Sequence, residues 1–179
     1  MTQVLVEALR ATTEDPEAPE AVMNFAIHEK MRQNDGVLDG NSRLEFDICF
    51  QRTGRGTHPM FKVEAKRLGQ RHRVGTSLEQ KGTYLGQDGL GAFMSAEYAS
   101  EQEDAGMLGY VQSNTVEEWA ESLAAMLGTA SGDFNVSPDG TWQAHGFPEG
   151  PAFTYRTRHT RSGGFAAITI FHTLLDFRS

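Results

Sequence analysis

The stretch "RLEFDICFQRTGRGTHPMFKVEAKRL", residues 43–68, decides the fold of this chain. Apolar and polar residues alternate through residues 44–50 and again through 61–66, on either side of the turn "GRGTHP". A period of two is typical of half-buried strands, and the short glycine-rich connection predicts an antiparallel hairpin of strands at residues 43–53 and 60–68. Charged side chains interrupt both strands, namely Asp47 in the first and Glu64 and Lys66 in the second.

The segments around the hairpin predict a mixed α/β domain with one central sheet flanked by helices. Residues 19–33 and 77–102 predict helices, the second weakened by its glycines. Residues 105–113 predict a buried strand. Residues 115–127 predict a helix, which Thr115 caps and Glu118 completes as a capping box. Residues 153–177 predict two final strands joined by a turn at "RSGG".

Length and composition indicate one globular domain over residues 1–179, with an irregular lead over 1–16. A single cysteine, Cys49, excludes a disulfide framework and favours a reducing compartment. The N-terminus has no signal-peptide pattern and no stretch is apolar enough to span a bilayer, so we expect a cytoplasmic protein without a membrane partner. The net charge of −8 argues against a free-standing nucleic-acid binder, although basic residues cluster locally.

Glu64 and Lys66 lie two positions apart on a predicted strand, so their side chains point to one face. If the register of the hairpin agrees, Asp47 on the partner strand joins them. Two carboxylates suit a hard divalent cation such as Mg²⁺, and a nearby lysine suits phosphodiester hydrolysis. The alternative is that these residues form the solvent face of the strand.

An acid on one strand followed by E-x-K on the next, with core helices before and after, resembles the PD-(D/E)xK nuclease superfamily over residues 17–112. This resemblance implies a restriction-endonuclease-like fold, although Phe46 stands where many members have proline. It implies that Asp47, Glu64 and the backbone carbonyl of Ala65 bind Mg²⁺ or Mn²⁺. It also implies that Lys66 orients or activates the attacking water.

The pair Gln80 and Tyr84 resembles the Q-x-x-x-Y helix of RecB-type nucleases. The resemblance implies that Gln80 belongs to the catalytic site and that Tyr84 lies beside it and contacts nucleic acid, whereas the alternative is that Tyr84 packs in the core. Members often add an acid from the first helix. Glu20 is the preferred candidate here and Glu29 the alternative. The basic residues that follow the E-x-K motif are candidates for holding the nucleic-acid backbone: Arg67, Arg71 and Arg73.

The resemblance implies a nuclease whose substrate is DNA, with RNA as the alternative, and which works with a protein partner or as a homo-oligomer. Small proteins of this kind are associated with antiviral defence. Two other classes stay open: a nuclease-fold interaction subunit without catalysis, and a domain that binds a small molecule near Gly86–Gly91.

The segment "RTRHTR", residues 156–161, places Arg156 and Arg158 on one face of a predicted strand and Thr157 and His159 on the other. The arginine face suits contacts with phosphates, or it is simply exposed. His172, inside the last apolar strand, is predicted to be a core residue with satisfied hydrogen bonds.

Overall fold

The computed structural model describes residues 25–29, 48–52, 60–69, 77–96, 99–146 and 153–178. The chain divides into two compact units, Met1–Glu64 and Ala65–Ser179, and the boundary falls inside one strand. Each unit is described by itself below.

The first unit holds an antiparallel arrangement of β1 (Phe25–Glu29), β2 (Ile48–Arg52) and the first part of β3 (Met60–Leu68). Strand β2 pairs with β3 through Ile48 opposite Val63 and Phe50 opposite Phe61. The predicted hairpin is therefore confirmed for these residues, and β3 has the predicted bounds.

The prediction of a helix over residues 19–33 is wrong for residues 25–29, which form β1 and pair with β2. The segment "FAIHE" is a short apolar run, and such a run satisfies a helical and an extended pattern equally well. The backbone groups of β1 bond those of β2, and this pairing is a non-local contact that the pattern does not report.

The second unit contains a five-stranded mixed sheet in the order β3–β4–β7–β6–β5. Its strands after β3 are β4 (Asp104–Val111), β5 (Gln143–Ala144), β6 (Thr154–His159) and β7 (Ile168–Asp176). Strands β4 and β7 are parallel, whereas β6 is antiparallel to both β7 and β5. These pairings confirm the mixed α/β class; the strand at residues 104–111 and the final pair of strands occur where they were predicted, whereas β5 was missed.

The described residues of the second unit form three helices: α1 (Ser77–Leu85), α2 (Leu90–Met94) and α3 (Val116–Thr129). The predicted cap of α3 is confirmed, because the Thr115 hydroxyl accepts from the Glu118 amide and the Glu118 carboxylate accepts from the Thr115 amide. The apolar face of α3, with Trp119 and Leu123, packs into the core of the second unit.

The described part of residues 77–102 forms two short helices rather than one, because the chain turns between Leu85 and Leu90. The backbone passes close to itself here: a Cβ on Gly89 would lie 2.2 Å from the Tyr84 carbonyl oxygen. Glycine is therefore required for this close approach. The glycines interrupt the predicted helix and permit α2 to start in a new direction.

Candidate functional site

The E-x-K motif lies on β3, as the sequence predicts. Alternation along the strand puts Lys62, Glu64 and Lys66 on one side. Lys62 is 6% exposed and Glu64 is 5% exposed. Lys66 is half-buried. The interpretation of these positions as a solvent face is therefore wrong for Lys62 and Glu64.

The burial of these charged groups is costly, since an ionised side chain loses its hydration when it is enclosed. Along the strand, Glu64 has a lysine two positions before it and another two positions after it. Each neighbour is roughly 7 Å away along the backbone, at about 3.4 Å per residue. An enclosed acidic side chain with a lysine on either side of it along the strand makes this segment a candidate functional site.

The oxygen donors on β3 fit a hard divalent cation. The carboxylate of Glu64 and the backbone carbonyl of Ala65 are the kinds of ligand that Mg²⁺ takes, together with retained waters. The described part of the chain contains no group of three or more His, Cys, Asp and Glu side chains arranged to hold a metal. The predicted second carboxylate, Asp47, lies outside the described residues, as do Glu20, Arg71 and Arg73.

Glu29, the alternative helix acid, belongs to the end of β1 and not to a helix. The register places it opposite Ile48, which in turn is opposite Val63. Across the three strands, the backbone position of Glu29 is therefore in register with Val63. It is out of register with Glu64 by one residue. Arg67 is exposed near the end of β3, and alternation along the strand assigns it to the side opposite Glu64 and Lys66.

Gln80 and Tyr84 both lie on α1, the helix that follows the E-x-K strand. The Tyr84 side chain is completely buried in the core of the second unit. Its hydroxyl lies 3.2 Å from Nδ1 of His172 on β7. The expectation that Tyr84 contacts nucleic acid is corrected by this placement, since its side chain offers no surface to a ligand; it packs in the core.

Tyr84 is one end of a buried chain of hydrogen bonds that crosses β7 and β6. Nε2 of His172 lies 2.8 Å from the Thr157 hydroxyl, and that hydroxyl lies 2.6 Å from Nε2 of His159. This series of hydrogen bonds ends at Phe134, whose carbonyl oxygen lies 2.8 Å from Nδ1 of His159. Each ring nitrogen of the two histidines therefore has a partner.

One arrangement of protons satisfies all of these contacts when both rings are neutral. A carbonyl only accepts, so His159 donates from Nδ1 and accepts at Nε2 from the Thr157 hydroxyl. The Thr157 oxygen then accepts from Nε2 of His172, and Nδ1 of His172 accepts from the Tyr84 hydroxyl. The Tyr84 hydroxyl is thus a donor at the end of a fully directed network.

Burial keeps these groups neutral. Desolvation lowers the pKa of His172 well below its ordinary value, and the neighbouring His159 lowers it further. Desolvation also lowers the pKa of His159, although the bond to Phe134 opposes this shift. Burial raises the pKa of the Tyr84 hydroxyl, which therefore keeps its proton. The prediction that His172 is a satisfied core residue is confirmed.

The network went unpredicted because its members are far apart in sequence. Tyr84 and His172 are separated by 88 positions. The one local signal was the alternation along residues 155–159, which assigned Thr157 and His159 to the face opposite the arginines. That assignment is confirmed, since both are buried while Arg156 and Arg158 are exposed.

A cavity of about 480 Å³ lies beside the glycine segment between α1 and α2. Residues of that segment and of the loop after α3 line it, including Gly86, Asp88, Asp133 and Asn135. The glycine-rich segment therefore borders a depression, as a small-molecule site there requires.

Comparison of the chain with protein-family models, with curated proteins and with solved structures found no match in any of the three. None of the helices described is both long enough and apolar enough to cross a bilayer. The assignment of function therefore depends on the site itself.

Proposed function

We propose that this protein is a metal-dependent nuclease that hydrolyses phosphodiester bonds of DNA on a restriction-endonuclease-like fold, with RNA as the alternative substrate. The observation that carries the proposal is the burial of Glu64 within an E-x-K motif on the second strand of an antiparallel hairpin. A surface strand has no need to enclose a carboxylate, whereas a hydrolytic site needs one held rigidly.

The register of the hairpin supports this proposal. Residues 48–51 pair with 63–60 in reverse order. If that order continues by one residue, Asp47 is opposite Glu64, and directly opposite residues share a face of the sheet. We therefore propose Asp47 as the second carboxylate. The pairing of β1 in place of a helix removes the reason for choosing Glu29. Glu20 lies outside the described residues and stays a prediction.

Each proposed residue has a chemical role. Asp47, Glu64 and the Ala65 carbonyl would hold Mg²⁺ or Mn²⁺, which when bound supplies charge stabilisation and a more acidic water. Lys66 orients the attacking water and stabilises charge that develops on the phosphate. Gln80, one turn before Tyr84 on α1, orients groups at the site. The nucleic-acid backbone is held by two of the basic residues after the motif, Arg71 and Arg73. Arg67 is not kept in this set, because alternation assigns it to the other side of β3.

Cleavage of labelled single- and double-stranded DNA and RNA by the purified chain tests the proposal. Reactions would contain Mg²⁺, Mn²⁺ or EDTA. We expect metal-dependent cleavage that falls by 100-fold or more, on the order of the usual effect of a general acid–base group, in Asp47→Ala, Glu64→Gln and Lys66→Ala. Lys81→Ala is the matched control, because Lys81 is also a half-buried lysine.

Equal loss of cleavage in Lys66→Ala and Lys81→Ala would contradict the assigned role of Lys66. Absence of cleavage by the wild type, with no Mn²⁺ binding by calorimetry, would leave the alternative of a non-catalytic interaction subunit. Melting curves of every variant separate loss of activity from loss of fold.

A second candidate, binding of a small molecule, is favoured by the cavity beside the glycine segment. It predicts ligand binding that Gly86→Val or Asp88→Ala weakens and that Lys66→Ala leaves unchanged. A thermal-shift screen against nucleotides and other common metabolites tests it, and stabilisation that survives Lys66→Ala but not Asp88→Ala would support this candidate.

A further inference from the structure

A second polar feature of the second unit is a groove of about 320 Å³ on the side of the sheet formed by β5, β6 and β7. It is lined by residues of these strands and of the loop before β5. The lining residues are Asp139, Gly140, Thr141, Gln143, Arg156, Thr157, Arg158 and Thr169.

The two arginines are exposed because of the alternation along β6. Thr157 and His159 belong to the buried network on the opposite face, so Arg156 and Arg158 must point outward. The backbone positions of the two arginines are roughly 7 Å apart along the strand, at about 3.4 Å per residue. A rigid strand in the middle of three paired strands thus presents two cations side by side.

Neutral side chains hold these guanidinium groups in place. Nε and Nη2 of Arg156 donate to Oε1 of Gln143 at 3.3 and 3.2 Å. Nη1 of Arg158 donates to the Thr169 hydroxyl at 3.5 Å. These bonds orient the arginines without neutralising them, and each guanidinium, with five N–H donors, keeps others available. Thr141 and Thr169 also line the groove and add hydroxyl groups, whereas the hydroxyl of Thr157 belongs to the buried network.

Among the described residues that line the groove, Asp139 is the one acidic side chain, and its negative charge would repel a bound anion. Asp139 is exposed at the edge of the groove, so water screens its charge more strongly than it screens a buried charge. The remaining lining groups are hydroxyl, amide, backbone and guanidinium groups, which together suit the oxygens of phosphate diesters better than an apolar or a cationic ligand.

We propose that this groove, defined by Arg156, Arg158, Thr169 and Gln143, binds the phosphodiester backbone of a nucleic acid. The inference rests on the proposed nuclease function, because it assigns the groove to the same substrate. It also supplies what an acidic chain of net charge −8 needs, namely a place where cationic groups are concentrated and fixed.

The test is binding of a fluorescein-labelled 20-base-pair DNA duplex, and of one of its single strands, by anisotropy in EDTA so that no cleavage occurs. Titrations run from 50 to 200 mM salt with wild type, Arg156→Gln, Arg158→Gln and the double variant. Arg178→Gln is the control, since it removes an exposed arginine whose side chain instead bonds Asp176. Arg156→Lys/Arg158→Lys keeps both charges.

We expect the double glutamine variant to bind roughly tenfold or more weakly near 0.1 M salt, and its salt slope to fall by about 2. The double lysine variant should retain the wild-type slope, because it keeps both charges. Asp139→Asn should bind more tightly than wild type. Arg178→Gln should bind like wild type.

The binding and cleavage experiments distinguish failure of the groove proposal from failure of the nuclease proposal. Binding that Lys66→Ala leaves intact and the glutamine variants weaken would support the groove even if the wild type cleaved nothing. Cleavage by the wild type with an unchanged dissociation constant and salt slope in the double glutamine variant would overturn the groove and leave the nuclease proposal standing. No binding of either DNA by the wild type would also overturn it.

Discussion

Replacement of Thr157 by valine should destabilise the second unit strongly, because one hydroxyl joins the two buried histidines. Thr157 is 1% exposed, and its oxygen lies 2.6 Å from Nε2 of His159 and 2.8 Å from Nε2 of His172. Valine has nearly the same shape but neither donates nor accepts. Thr157→Val therefore leaves an acceptor on one ring and a donor on the other without a partner.

Each buried polar group that loses its partner costs about 1–3 kcal/mol. Two such groups, less the gain of roughly 0.8 kcal/mol for an added apolar carbon, give a loss of about 3 kcal/mol in the free energy of unfolding. For a chain of this size that loss corresponds to a decrease in melting temperature of about 6–12 °C.

Urea denaturation followed by tryptophan fluorescence measures this loss. Trp142 reports directly on the network, since its ring centroid lies 4.6 Å from that of His172. Thr173→Val is the matched control: it removes a hydroxyl from the neighbouring strand that is half-buried and makes a long contact of 3.4 Å with Thr154. Equal losses of stability in Thr157→Val and Thr173→Val would refute the reasoning.

Three further predictions concern stability. Burial lowers the pKa of both His172 and His159, so the unfolded chain takes up protons first as the pH falls below about 6.5. The free energy of unfolding should therefore decrease from pH 7.5 to 5.5, by up to about 1.4 kcal/mol per pH unit for each histidine. Urea titrations across this range measure the change, and a stability that stays constant or increases as the pH falls would contradict the prediction. Gly89→Ala should destabilise the chain, since the new Cβ would lie 2.2 Å from a backbone oxygen. Gly82→Ala should instead stabilise α1 by up to about 1 kcal/mol, because no atom lies within 4 Å of the new Cβ. Thermal melts in which Gly89→Ala is the more stable variant would refute the claim that Gly89 is required for the close approach. Thr115→Ala should lower the free energy of unfolding by about 1 kcal/mol, because it removes the hydroxyl that accepts from the Glu118 amide. Thr129→Ala, at the exposed end of the same helix, is the control and should lower the melting temperature less.

The sequence predicted elements best where short-range signals agree. Strand β3 has alternating residues between Pro59 and Gly69, and α3 has a capping box before its apolar face. For each of them the local pattern, the end signals and the burial point to one structure. The predicted bounds of β3 are therefore those observed, and the predicted start of α3 is also correct.

The predictions failed where distant residues decide the outcome. Residues 25–29 form a strand because β2 is available to pair with them, and Tyr84 is buried because His172 and the core surround its ring. Neither partner is visible in the local pattern. The helix predicted across Gly86–Gly91 ended early because the backbone approaches itself, a contact that only the folded chain reveals.

The buried polar residues of β6 and β3 differ in a way that bears on function. Thr157 and His159 on β6 are uncharged, and hydrogen bonds within the protein satisfy their polar atoms. Their burial is explained by stability and by the unique packing that a complete network enforces. Lys62 and Glu64 on β3 are ionisable side chains enclosed to about the same degree. Enclosing ionisable side chains is costly, and apolar residues of similar volume commonly serve stability as well, so stability alone gives no reason for this choice. The chemistry proposed for the E-x-K motif would give such a reason, and the proposed function therefore depends on β3 rather than on the larger polar network.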